Sequence, residues 1–138
     1  MSFSGTVKEE LAAHISSARH CQLAELAAYI LFNCGVCGDG KHLCLDTENE
    51  AVARKCFTLL KKTFNIETVM RGRSRMIPDD GTERRIIQAL YLAGSEDGKI
   101  ELTRTVNPLL IRHSCCARAW LRGAFLSVGS MSDPRKSY

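Results

Sequence analysis

Two helical segments of this chain repeat one another at a spacing of 95 residues. CQLAELAAYILFNCG, residues 21–35, aligns with CARAWLRGAFLSVGS, residues 116–130. Cys21/Cys116, Ala24/Ala119, Leu26/Leu121 and Leu31/Leu126 are identical, and Ile30/Phe125 and Ala28/Gly123 are similar. Arg-His pairs, Arg19-His20 and Arg112-His113, precede both segments. Amphipathic helices always share some residues, so the repeat needs support from the rest of the chain.

At 138 residues the chain is the size of one domain. It can bury about two-thirds of the surface its unfolded form exposes. With 45% hydrophobic and 25% charged residues, its bulk is neither disordered, collagen-like nor a coiled coil. No apolar run approaches the roughly 20 residues that span a bilayer, and the N-terminus lacks the pattern of a signal peptide. The net charge of +4 is uneven: residues 104–138 sum to +5 and residues 1–103 to −1. A basic C-terminal third suits a polyanionic partner, although a solvated charged face gives the same composition. Seven cysteines, an odd number, with no secretion signal fit free thiols in a reducing cytoplasm.

Hydrophobic spacing gives the elements. Thr6 and Glu9 fit a capping box, and Val7, Leu11, Ile15 and Ala18 predict a helix over 7–18. Leu23, Leu26, Ala27, Ile30 and Leu31 predict a second over 20–33, ended by Cys34-Gly35. Lys41–Asp46 alternates as a half-buried strand. Thr47 and Glu50 form a second capping box before a helix over 49–63, with Val52, Cys56, Leu59 and Leu60 inward. Ile66–Met70 and Arg73–Ile77 read as strands. A helix over 82–93 turns Ile86, Ile87 and Leu90 inward, with Ala93 at its end. Asn107-Pro108 can start a short helix. The last helix, over 114–128, presents Ala117, Leu121, Ala124, Phe125 and Val128 as a stripe, and Gly129 stops it. The pattern is α+β.

The second copy carries a resemblance. Trp120-Leu121-Arg122-Gly123-Ala124-Phe125-Leu126-Ser127-Val128-Gly129-Ser130 resembles the LAGLIDADG signature of homing endonucleases. Cys115-Cys116, Arg118, Leu121–Leu126, Gly129-Ser130, Ser132-Asp133-Pro134 and Lys136 are more closely similar to the WhiA family. So are the opening Met1–Ser4, Val7–Leu11 and the Thr47-Glu48-Asn49 segment. WhiA proteins are bacterial regulators of sporulation and cell division with a degenerate LAGLIDADG domain. The resemblance implies αββαββα repeats, the first over about 20–113 and the second starting at about 114–138. It implies that the two signature helices pack together, with Ala24, Ala28, Ala119 and Gly123 as the small residues that permit close approach. A mid-helix glycine costs about 1 kcal/mol against alanine, so Gly123 asks for such a reason. In active homing endonucleases an acid before the signature's final glycine binds the catalytic metal. Here Asn33 and Val128 stand at that position, which implies no nuclease activity and no metal cofactor there. The family continues into further strands and a helix-turn-helix, so a fragment or a short relative is expected.

Other constellations have competing readings. Cys34-x-x-Cys37 with His42 and Cys44 offers four zinc-ligand types in eleven residues, but this is no standard finger or ribbon spacing, so no stoichiometric zinc is expected. Cys115-Cys116 at a helix start feel the dipole that lowers a thiol pKa, yet buried structural thiols are commoner. Arg71, Arg73 and Arg75 share a face if their strand is continuous and could then meet successive phosphates; if Gly72 makes a hairpin turn, Arg71 leaves the set. With Arg135 and Lys136 they form the candidate DNA contacts. The resemblance thus implies a cytoplasmic, nucleoid-associated, non-catalytic domain that binds duplex DNA weakly through phosphates. The alternative is an interaction module, with a homodimer as one partner state.

Overall fold

The computed structural model describes residues 3–36, 43–45, 50–66, 69–71, 74–76, 82–90 and 106–135. The helices are α1 (Phe3–Ala12), α2 (Arg19–Asn33), α3 (Glu50–Phe64), α4 (Thr82–Ala89) and α5 (Ser114–Val128), with a 3₁₀ turn at Pro108–Ile111. Four short strands, β1 (Cys34–Val36), β2 (Leu43–Leu45), β3 (Val69–Arg71) and β4 (Ser74–Met76), form an antiparallel sheet of order β1-β2-β4-β3.

The second helix lies at the centre. Ten of its residues between Cys21 and Leu31 are buried, because α5 packs along it and α3 also lies against it. Leu26, Tyr29 and Ile30 of α2 meet Val52, Cys56, Leu59, Leu60 and Phe64 of α3, together with Ile66, Ile86, Leu90 and Leu126, in the main core. The α3 stripe is the one its spacing predicts. The helix ends at Asn65, whose φ of 56° is a left-handed conformation that asparagine tolerates. Asn107 caps the 3₁₀ turn, its Oδ1 accepting from the Leu109 N–H at 2.9 Å.

Several expectations need correction. The first helix runs over Phe3–Ala12, not 7–18, so Thr6 sits inside it rather than at its start. The chain leaves the helix after Ala12, and the Ser16 hydroxyl accepts from Arg122 at 3.3 Å. The Ser16 carbonyl accepts from the Gln22 side chain at 2.7 Å, and Ile15 lies outside the helix, exposed. Cys34 and Gly35 do not simply end α2 but begin β1, paired with Leu45 and Cys44. The α5 stripe is also different. Its buried residues are Cys116, Ala119, Gly123 and Leu126, whereas Leu121 and Val128 are each 60% exposed. Leu121 and Val128 therefore do not mark the packed face; Ala119 and Gly123 do, with Cys116 and Leu126. Thr47, the head of the expected second capping box, and Ala93 lie outside the described residues.

Candidate site at the paired helices

The two repeat helices pack along their full length in the same direction. Cys21 and Ala24 cluster with Cys116 and Ala119 at their starts. Halfway along, Gly123 faces Glu25 and Ala28: a Cβ placed on Gly123 would lie 2.6 Å from the Glu25 carbonyl oxygen and 2.9 Å from Ala28 Cβ. At their ends Asn33 Nδ2 donates to Ser127 Oγ at 2.7 Å. Ala24, Ala28 and Ala119 are fully buried. Small side chains thus let the two backbones meet, and at Gly123 even a methyl group would not fit.

Beside this contact lies a buried charge cluster that sequence spacing does not reveal. Glu25 Oε1 accepts from Lys55 Nζ at 3.0 Å and from Arg122 Nη1 at 3.1 Å. The Lys55 side chain is 0% exposed, and its ammonium also donates to the Leu11 carbonyl at 3.2 Å. The carboxylate of α2 therefore ties α3 and α5 to it, and the Lys55 ammonium extends the tie to α1. Burial lowers the Lys55 pKa, and Glu25 works against that shift. Next to it the Tyr29 hydroxyl is buried with no hydrogen-bond partner among the described residues. Burial, and then the charge of Glu25, push its pKa well up.

At the helix starts four potential metal donors converge. His20 and Cys21 occupy the first turn of α2, Cys115 and Cys116 that of α5, and their ligand atoms all lie within 4.8 Å of one another. His20 Nδ1 stands 3.0 Å from Cys116 Sγ, 3.5 Å from Cys21 Sγ and 4.0 Å from Cys115 Sγ. The cysteines are free thiols. A hydrogen bond from Cys21 holds the Cys115 thiol below its usual value. Burial, and then the hydrogen bond to Cys115, raises Cys21 to about 11; burial likewise raises Cys116. The signal for this group was present in the repeat, since a shift of 95 maps His20 onto Cys115 and Cys21 onto Cys116. Of the Cys34, Cys37, His42 and Cys44 set, Cys34 lies in β1 and Cys44 in β2, with Gly35 opposite Cys44, while Cys37 and His42 lie outside the described residues.

The candidate DNA contacts are spread out. Arg71 ends β3 opposite Ser74, and Arg75 pairs with Met70 and Leu45. The strands form an antiparallel ribbon rather than one continuous strand, so the condition under which positions 71, 73 and 75 make one set is not met. Arg73 and Lys136 lie outside the described residues. The Arg135 guanidinium is held by Asp133, with Nη2 donating to Oδ2 at 2.9 Å and Nε to Oδ1 at 3.1 Å. That pair lowers the Asp133 pKa. Among the described residues no helix is long and apolar enough to cross a membrane.

Residues 19–79 match the family model of the WhiA N-terminal LAGLIDADG-like domain. The whole chain is 43% identical to a probable cell division protein WhiA of Lachnoclostridium phytofermentans and 41% identical to that of Alkaliphilus oremlandii, in each case covering 48% of the relative. The chain thus spans about half the length of the curated relatives it matches. Its fold is similar to the crystal structure of full-length DUF199/WhiA from Thermotoga maritima, with a TM-score of 0.63 and 19% identity, over 100% of this chain and 43% of that one. The crystal structure of an N-terminal LAGLIDADG domain of DUF199/WhiA matches at 0.63 and 21% identity, over 99% of this chain and 63% of that one. The chain is related to the WhiA proteins, and its residues 19–79 match the N-terminal LAGLIDADG-like domain of that family.

Proposed function

We propose that this chain is a non-catalytic DNA-binding domain of a WhiA-type bacterial regulator of sporulation and cell division. It consists of one αββαββα repeat and the start of a second. The observation that carries the reading is the pair of signature helices ending in Asn33 and Val128 rather than in acids. A nuclease metal such as Mg²⁺ needs oxygen ligands of high charge density. Asn33, whose Nδ2 donates to Ser127, brings no negative charge to such an ion, and valine cannot ligate at all. Arg73, Arg75, Arg135 and Lys136 supply phosphate contacts, which position a protein on a duplex without reading sequence; Arg71, on the other strand of the ribbon, leaves the set. Asp133 already neutralises much of Arg135, so the ribbon arginines carry more of the binding.

The test is fluorescence anisotropy with duplexes of unrelated sequence. Affinity is expected to be similar for all of them and to fall steeply between about 50 and 200 mM salt, with the logarithmic slope reduced by about 0.9 for each phosphate contact removed. Arg73→Glu with Arg75→Glu should weaken binding more than Arg135→Glu. Binding indifferent to salt and to these changes would remove the DNA reading. In parallel, supercoiled plasmid should stay intact with Mg²⁺ or Mn²⁺; nicking that disappears in Asn33→Ala would overturn the non-catalytic assignment.

A second reading, self-association, draws on the exposure of Leu121 and Val128, because extended apolar surface is rarely left in water. A concentration-dependent sedimentation coefficient lost in Leu121→Glu distinguishes it from the first.

A further inference from the structure

The four residues His20, Cys21, Cys115 and Cys116 form a donor set of three sulfurs and one imidazole nitrogen. We propose that they bind a single zinc ion that clamps the starts of the two repeat helices together. The proposal does not depend on DNA binding.

The chemistry of the donors points to this class of ion. Thiolate and imidazole ligands select zinc and similar borderline or soft metals, and three cysteines with one histidine make a recurrent closed structural site. The spacing agrees. With metal–sulfur bonds of about 2.3 Å and metal–nitrogen bonds of about 2.0 Å, tetrahedral ligand atoms stand roughly 3.5–3.8 Å apart. The three distances from His20 Nδ1, at 3.0, 3.5 and 4.0 Å, bracket that edge. No pair exceeds 4.8 Å, so small rotamer adjustments close the set.

The placement also suits an ion. Cys21 and Cys116 are buried and His20 is exposed, while Cys115 is partly so. The ion therefore has an entry side and a buried floor. The donors sit in the first turns of two helices that run side by side, so one ion would reach both. These donors are distinct from Cys34, Cys37, His42 and Cys44.

The test uses the full chain, purified under reductant, stripped with a chelator and loaded with zinc or cobalt(II). About one ion per chain should remain after gel filtration. The cobalt form should show the intense visible bands of a tetrahedral site together with sulfur-to-metal charge transfer in the near ultraviolet. Zinc should raise the melting temperature in a concentration-dependent way, because it binds the folded form. Cys115→Ser and His20→Ala lie at the open side and leave the buried floor in place. Each should weaken binding by more than the roughly 10–100-fold typical of losing an outer-shell partner, and Cys115→Ser should diminish the charge-transfer band. Cys34→Ser with Cys37→Ser should change neither. No bound metal in a chain with all its thiols reduced would overturn the proposal. So would a metal that survives His20→Ala and Cys115→Ser and is lost in Cys34→Ser with Cys37→Ser. Oxidised Cys21, Cys115 or Cys116 that bind nothing once reduced would also overturn it, replacing the ion by a disulfide.

Discussion

Glu25→Gln is expected to destabilise the protein by about 3–5 kcal/mol, because it strands a buried ammonium. Glu25 is the acid that Lys55 reaches in a place where that ammonium has no access to water. A loss of this size is a large share of a typical domain's stability and should lower the melting temperature by about 10–20 °C. The cost arises from the orphaned Lys55 more than from lost attraction. Hence Glu25→Gln combined with Lys55→Met should recover much of it, and Lys55→Met alone should be milder, since Arg122 still serves the carboxylate. The single Glu25→Gln variant should also gain stability as pH rises in the alkaline range. Lys55 already titrates below its usual value of 10.5 in the folded chain. Between the folded and unfolded values the unfolded chain holds more protons, so raising the pH favours the fold. Urea unfolding of the three variants at two pH values measures all of this. A cost below 1 kcal/mol for Glu25→Gln, with no recovery in the double variant, would show that the cluster is not a structural tie.

The second large effect is expected at Gly123, and its sign is the informative part. On an isolated helix, glycine to alanine stabilises by about 1 kcal/mol. Here the new methyl would press into the Glu25 carbonyl oxygen, a backbone atom that cannot rotate away. Gly123→Ala should therefore destabilise, by about 1–3 kcal/mol, and Gly123→Leu by more. Thermal melting of both variants beside wild type decides the matter. If alanine is neutral or stabilising, the two helices do not meet at Gly123.

What the sequence makes legible follows from what periodicity encodes. The α2 and α3 stripes are read directly because their inward residues are large and regularly spaced, as at Leu26, Ile30, Leu59 and Leu60. The α5 face is misread from its stripe, because Leu121 and Val128 outweigh Ala119 and Gly123 in hydrophobicity although the smaller residues are the packed ones. The repeat carries the information that the stripe lacks: Ala24 and Ala28 stand opposite Ala119 and Gly123 at a shift of 95. Glu25 and Lys55 could not be found by any such pattern. A charged residue in an amphipathic helix normally marks its wet side, and only the crossing of α2, α3 and α5 makes this one an interior ion pair. The first turns of α2 and α5 are an intermediate case. Their cysteines and histidine are visible in the sequence, but their meeting depends on the helices running in parallel, which spacing within either helix alone does not dictate.

The central contact also has a consequence for how the chain reaches its fold. Asn33 meets Ser127 across 94 residues, and His20 meets Cys116 across 96. By contrast, α2, the β1–β2 hairpin and α3 follow one another closely in the chain. Loop closure across such a distance is entropically unfavourable, and contacts of large sequence separation slow folding. Synthesis from the N-terminus therefore delivers α2 with the face that meets α5 uncovered until the residues of α5 have emerged. The small residues that make the mature interface tight give this waiting helix little greasy surface of its own on that side. The design limits the exposure of a half-made domain to wrong partners during the interval before its second signature helix arrives.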